Sequence, residues 1–205
     1  MKERMKHTMT NERIEFERLI GEAKDISFLN RNLYLTKDIQ MKNLETIIKS
    51  IIAINENDTY FEKTFREFDR KDHPIKLYIS SYGGTITEGL GLIDIMQKSE
   101  TPIHTIVTGK AMSMGNTVAV TGDKRYIGKY STIMIHNAWK TVSGDKHELE
   151  EDLDELKRLH EICKNIIIEN SKLTKKQLDE WDNLKKTVYI DSQKALEYGL
   201  VDEIY

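Results

Sequence analysis

Ser113, inside GKAMSMGNTV (109–118), and His136, closing STIMIH (131–136), are side chains whose types and spacing suit acyl transfer. A serine hydroxyl is a weak nucleophile until a base withdraws its proton. Histidine is the side chain best matched to that task near neutral pH. Two further parts are needed. One is a group that orients the imidazole and balances the charge it gains. The order serine then histidine leaves that group to be sought downstream. The other is a set of backbone N–H donors for the tetrahedral oxyanion. YISSYGGTITEG (78–89) places Gly83 and Gly84 directly after a strand-like run and before a helix-like one. Glycine lets such a turn present its N–H groups to an anion. Met114 follows Ser113 at a second strand-to-helix turn, where the positive end of a helix also favours negative charge. The G-x-S-x-G elbow is not matched, because the stretch reads Ala111-Met112-Ser113-Met114-Gly115.

The elements that must hold these residues are read from periodicity. RNLYLT (31–36), PIKLYIS (74–80), PIHTIVTG (102–109) and STIMIH read as strands. MKNLETIIKSIIAIN (41–55) reads as an amphipathic helix with Leu44, Ile47, Ile48, Ile51 and Ile52 on one side. TEGLGLIDIMQKS (87–99) reads as a helix whose two glycines allow close packing. Strands alternating with helices predict an α/β fold of parallel βαβ units. After residue 143 one long helix is expected over about 145–171, opened by a capping box of Asp145 and Glu148. It is either a helix packed on its own domain or an arm that packs against another copy of the chain. A last helix ending at Gly199 and a short strand complete the chain.

Composition narrows the function classes. The chain has 205 residues, 32% charged and 39% apolar, with a net charge of −3. There is no basic stripe for nucleic acid and no apolar run long enough to span a membrane. The charged start lacks the apolar core of a secretory signal, so the cytoplasm is the expected compartment. The single cysteine, Cys163, excludes an intrachain disulfide and a multi-cysteine metal site. No cofactor and no metal is expected. HELEED lacks the second histidine of a zinc motif and reads as a solvated helix face. His104 alternates with apolar residues on a strand and reads as packed.

YISSYGGTITEGLGLIDIMQ, GKAMSMGNTVAVTGDKRYIGKYSTIMIHNAW and ALEYGLVDEI together resemble the Clp protease proteolytic subunit (ClpP) family. The motif order and the spacing from Gly84 to Ser113 match over roughly residues 30–205. The resemblance implies a serine peptidase with a crotonase-like α/β fold in residues 31–205. It implies seven-membered rings, two of which stack into a closed barrel, so the chain is expected as a heptamer or tetradecamer. It implies an AAA+ ATPase unfoldase that feeds in unfolded polypeptides. By that likeness Ser113 is the nucleophile and His136 the base, and Gly84 and Met114 are the oxyanion donors. The long helix is then the handle through which two rings meet, and the polar segment 1–30 lies near the axial pore.

The third member of the triad is left open. Counting back from VYIDSQKALEYGL, the family's aspartate falls on Asn183; counting forward from KLTKKQL, it falls on Trp181. Asp182 lies between and is the first choice, Asn183 the alternative, and Asp179 a remote third. A solvated LDEWDNLKK turn with a bare Ser–His dyad is the plain reading. The segment 55–73 is longer than the family's usual connection and carries Phe61, Phe65 and Phe68 at helical spacing, to contact a partner or neighbour. Tyr82 stands where the family has proline, and Asn137-Ala138-Trp139 where it has Gln-Pro. Two rivals share the fold: a degenerate, non-catalytic ring subunit, and a crotonase-type acyl-CoA hydratase or isomerase. Lys110 and Lys124 could serve a Ser–Lys dyad, which the histidine makes unnecessary.

Overall fold

Isoleucine and leucine recur at alternate positions of RNLYLT, PIKLYIS and STIMIH, and such runs bury themselves in a sheet. The computed structural model describes residues 31–139, 141 and 143–205. The polar segment 1–30, with its expected axial position, lies outside the described residues. The strands β1 (Asn32–Leu35), β2 (Ile75–Ser81), β3 (Ile103–Met112), β4 (Lys124–Ile127) and β7 (Glu203–Ile204) pair in that order, all parallel. Residues 104–107 of β3 lie beside β4, and residues 110–112 lie beside β5 (Thr132–Ile135). Gly109, at φ 79°, marks the change of partner, a conformation that costs glycine little. Its N–H donates to Ser131 Oγ (2.7 Å), and that hydroxyl donates to the Val107 carbonyl (3.2 Å). β6 (Val188–Asp191) closes β5 on its other side and, among the described residues, is the one antiparallel partner. The α/β architecture expected from the sequence is therefore present.

The first helix is longer than its apolar stripe suggests. α1 runs Met41–Thr64, with Leu44, Ile47, Ile51, Ile54, Asp58 and Phe61 buried at alternating steps of three and four. Ile52, expected on that face, is exposed. Asp58 is tolerated on an apolar seam because its carboxylate is fully paired. Arg31 donates to both oxygens (2.9 and 2.5 Å), and Thr101 Oγ1 donates to one of them (2.6 Å). Phe61 packs on Phe65 and Phe68, with ring centroids 5.6 and 5.5 Å apart. The long segment thus packs its aromatics largely within the subunit, with Phe61 and Phe65 buried.

α2 (Ile86–Lys98) and the short α3 (Met114–Ala119) follow β2 and β3 and bury Leu92, Met96, Met114 and Val118 in the core. α4 (Lys146–Glu169) opens with the expected capping box: Glu148 N–H donates to Asp145, and Asp145 N–H to Glu148. Only its second half is packed, through Cys163, Ile166 and Ile167; Leu149 and Leu153 in the first half are exposed. The LDEWDNLKK stretch contributes to a helix, α5 (Lys175–Asn183), rather than a solvated turn. Thr174 and Gln177 cap it reciprocally, and Leu178 is buried beneath it. α6 (Ser192–Glu197) leads to Gly199 and β7.

Candidate active site

The C-terminal ends of β2, β3 and β5 converge, and each delivers one part of a constellation. In the parallel pair β3–β5, Met112 lies opposite Met134. Ser113 and His136 therefore leave adjacent strand ends, and Ser113 N–H donates to the Met134 carbonyl (2.8 Å). Ser113 joins β3 to α3 within a single residue, at φ 54° and ψ −127°. That region costs a non-glycine residue about 1–3 kcal/mol. Its hydroxyl makes no capping bond to α3 and lies 2.8 Å from His136 Nε2.

For Nε2 to accept the serine proton, the ring must carry its own proton on Nδ1. Burial, reinforced by nearby His160, lowers the His136 pKa below the ordinary 6.5. The imidazole is then neutral around pH 7, the form that can act as a base. Among the described residues, Nδ1 has no hydrogen-bond partner.

The double-glycine turn lies against the nucleophile. A Cβ added to Gly83 would stand 2.9 Å from Ser113 Cβ and 3.0 Å from Met114 N. Gly83 and Gly84 have φ of 94° and 149°, where other residues are strained. Ile39 anchors the turn: its N–H donates to the Gly83 carbonyl, and its carbonyl accepts from Thr85 N–H. Among the described residues, the N–H groups of Gly84 and Met114 have no acceptor. Two free donors beside a serine–histidine pair are the arrangement an oxyanion requires.

Asp182 lines the same cavity as Ser113 and His136, but its carboxylate faces α4. Its Oδ2 accepts from His160 Nε2 (2.8 Å) and Lys164 Nζ (3.2 Å), and its backbone carbonyl accepts from Asn137 Nδ2 (3.1 Å). Burial works against the Lys164 charge, yet Asp179, Glu161 and Asp182 outweigh it and raise its pKa. Asp179 is spent on that lysine (2.6 Å). Asn183, the last residue of α5, is exposed and lines no part of the cavity. No motif marks His160 or Lys164. The available signal was positional: Leu153, Leu156, His160, Cys163 and Ile167 step by three and four along one face of α4.

The competing groups are occupied elsewhere. Lys110 Nζ sits 3.9 Å from the centroid of the Tyr82 ring, and Lys124 pairs with Glu203 (2.9 Å). Burial pushes the Cys163 thiol up to about 11, so it is no thiolate at neutral pH. Among the described residues no cluster of His, Cys, Asp or Glu is placed to hold a metal ion, and no helix is long and apolar enough to cross a membrane.

Known proteins resemble the chain in sequence over most of its length. The sequence model of the Clp protease family matches residues 22–205. The chain is 30% identical to an ATP-dependent Clp protease proteolytic subunit of Borreliella afzelii, covering 98% of this chain and 92% of that one. It is 31% identical to an ATP-dependent Clp protease proteolytic subunit 1 of Borreliella burgdorferi, covering 85% and 84%. A proteolytic subunit of the same description from Dehalococcoides mccartyi is 33% identical, covering 68% and 70%.

The lowered His136 pKa sets the sign of a pH dependence. Proton transfer from Ser113 to this ring would require the neutral imidazole, so any acylation it assists would slow as pH drops through the His136 pKa. The acid limb of kcat/KM for peptide hydrolysis is expected to have its midpoint below 6.5. A midpoint above 6.5 would contradict an unpaired ring in the working protein and would mean that a carboxylate has come to pair with it.

Proposed function

The chain belongs to the Clp protease family, and on that premise we propose that it is the serine endopeptidase subunit of a barrel-shaped protease. The observation that carries this reading is the 2.8 Å approach of His136 Nε2 to the hydroxyl of Ser113 at its strained turn. Ser113 attacks the peptide carbonyl while His136 takes its proton. The N–H groups of Gly84 and Met114 hold the oxyanion. His136 then protonates the leaving amine, and water releases the acyl group by the same path in reverse. Asp182 is the proposed third member in preference to Asn183, because it lines the cavity and Asn183 is exposed. To take that role its carboxylate turns from His160 and Lys164 toward His136 Nδ1.

The substrates proposed are unfolded polypeptides. A separate AAA+ ATPase supplies the ATP-driven step that the names of the relatives mention. The subunit assembles in rings of seven, paired into a tetradecamer in the cytoplasm. The half-unpacked α4, with Leu149 and Leu153 exposed, supports a helix whose apolar face waits for a second copy of the chain.

Hydrolysis of a short fluorogenic peptide tests the chemistry. Ser113→Ala is expected to lower kcat/KM about 10⁴-fold or more; a loss under tenfold would contradict the nucleophile. Asp182→Ala is expected to cost about 10²-fold or more and Asn183→Ala little; negligible losses from both would leave a dyad. Glutamate at both Leu153 and Leu156 is expected to split double rings into single rings in sedimentation velocity. An unchanged sedimentation coefficient would remove the handle from the ring contact.

A further inference from the structure

Asn116 is a polar side chain at this site for which the catalytic chemistry has no use. It stands on the first turn of α3, three residues beyond the nucleophile, and is completely buried. It lines the cavity that Ser113 and His136 also line. Neither its Nδ2 nor its Oδ1 has a hydrogen-bond partner among the described residues. Among the charged groups that line the cavity, His160, Asp182 and Lys164 satisfy one another, and Lys186 is exposed. The remaining wall is largely apolar, from Ile86, Ile135, Ile167 and Leu178. A primary amide buried with donor and acceptor both unpaired is costly, and folded chains retain such a group where something else completes it.

We propose that Asn116 selects the substrate residue whose carbonyl Ser113 attacks, favouring a short, uncharged side chain that both donates and accepts hydrogen bonds. This rests on the peptidase reading above. The cavity begins at Ser113, so the side chain of the residue being cleaved, on its acyl side, is the one placed to enter it. The cavity volume is about 50 Å³, room for the tip of a small side chain. The amide offers one acceptor oxygen and N–H donors on one planar head. A hydroxyl or a carboxamide answers both, which points to serine, threonine or asparagine. A carboxylate has no proton for Oδ1. An ammonium has nothing to accept from Nδ2 and would meet the Lys164 charge. A leucine would leave the amide unpaired, and a site built to hydrogen-bond rejects the analogue that cannot.

The test is a panel of short fluorogenic peptides that differ only at the acyl-side residue, assayed with the full-length protein and with Asn116→Leu. The wild type is expected to cleave after threonine or asparagine with a kcat/KM about tenfold above that after leucine or phenylalanine. Asn116→Leu is expected to reverse that order. A wild type that prefers leucine or phenylalanine would overturn the proposal while leaving the peptidase reading intact, and it needs no variant to fold. An unchanged preference in an active Asn116→Leu would assign the amide a structural role and overturn it equally. A panel in which no member is cleaved would contradict the peptidase reading itself, and the proposal with it.

Discussion

One register holds the site together: Met112 opposite Met134 in a parallel pair of strands. Parallel strands bring their C-terminal ends to the same edge, so residues just past those ends meet without any long-range adjustment. The Ser113 N–H to Met134 carbonyl bond locks the pair at the point of use. Everything upstream serves that alignment. Gly109 lets β3 leave β4 and take up β5, and Ser131 ties the change of partner with two hydrogen bonds. A slip of one residue in this pair would turn every side chain of β5 to the other face and separate the hydroxyl from the ring.

A second constraint is electrostatic, and it sets the resting state. The His136 pKa is lowered by burial and by a neighbouring histidine, and among the described residues no carboxylate stands beside the ring to favour its charged form. Asp179 and Asp182 of α5 are meanwhile committed to α4, through His160 and Lys164. A buried ammonium with several carboxylate partners is held firmly, because removing any partner exposes its charge to an apolar surround. The position of α4 therefore bears on the site through Asp182. This matters for a helix with half its length unpacked against its own subunit. Contacts made by that free half are mechanically continuous with the turns that carry His160 and Lys164.

Ser113, His136 and the double glycine were legible in the sequence because each sits at the end of a short alternating run. The fold class followed from the same alternation. The extension of α1 past residue 55 was less visible, since the segment is mostly polar and its buried positions include Asp58, which spacing alone does not reveal as a paired carboxylate. α5 was hidden by its charge: Leu178 and Trp181 are its only large apolar side chains, and its clearest sign is the Thr174–Gln177 cap. β4 and β6 are four residues each and take their pairing from neighbours rather than from a pattern of their own. The partner of Asp182 depends on how α4 packs against α5, and no spacing along the chain encodes that. Asn116 stood inside a quoted motif, yet only burial shows that its amide is left unpaired.

The claim on which the rest depends is that Ser113 is a nucleophile activated by His136. Reaction of the purified protein with a fluorophosphonate, followed by peptide mapping in a mass spectrometer, examines that pair without any choice of substrate or unfoldase. A single phosphonyl adduct on Ser113, lost when His136 is replaced by alanine, is the result expected from the 2.8 Å contact. An adduct on another residue, no adduct at all, or one on Ser113 that forms undiminished without His136 would contradict it.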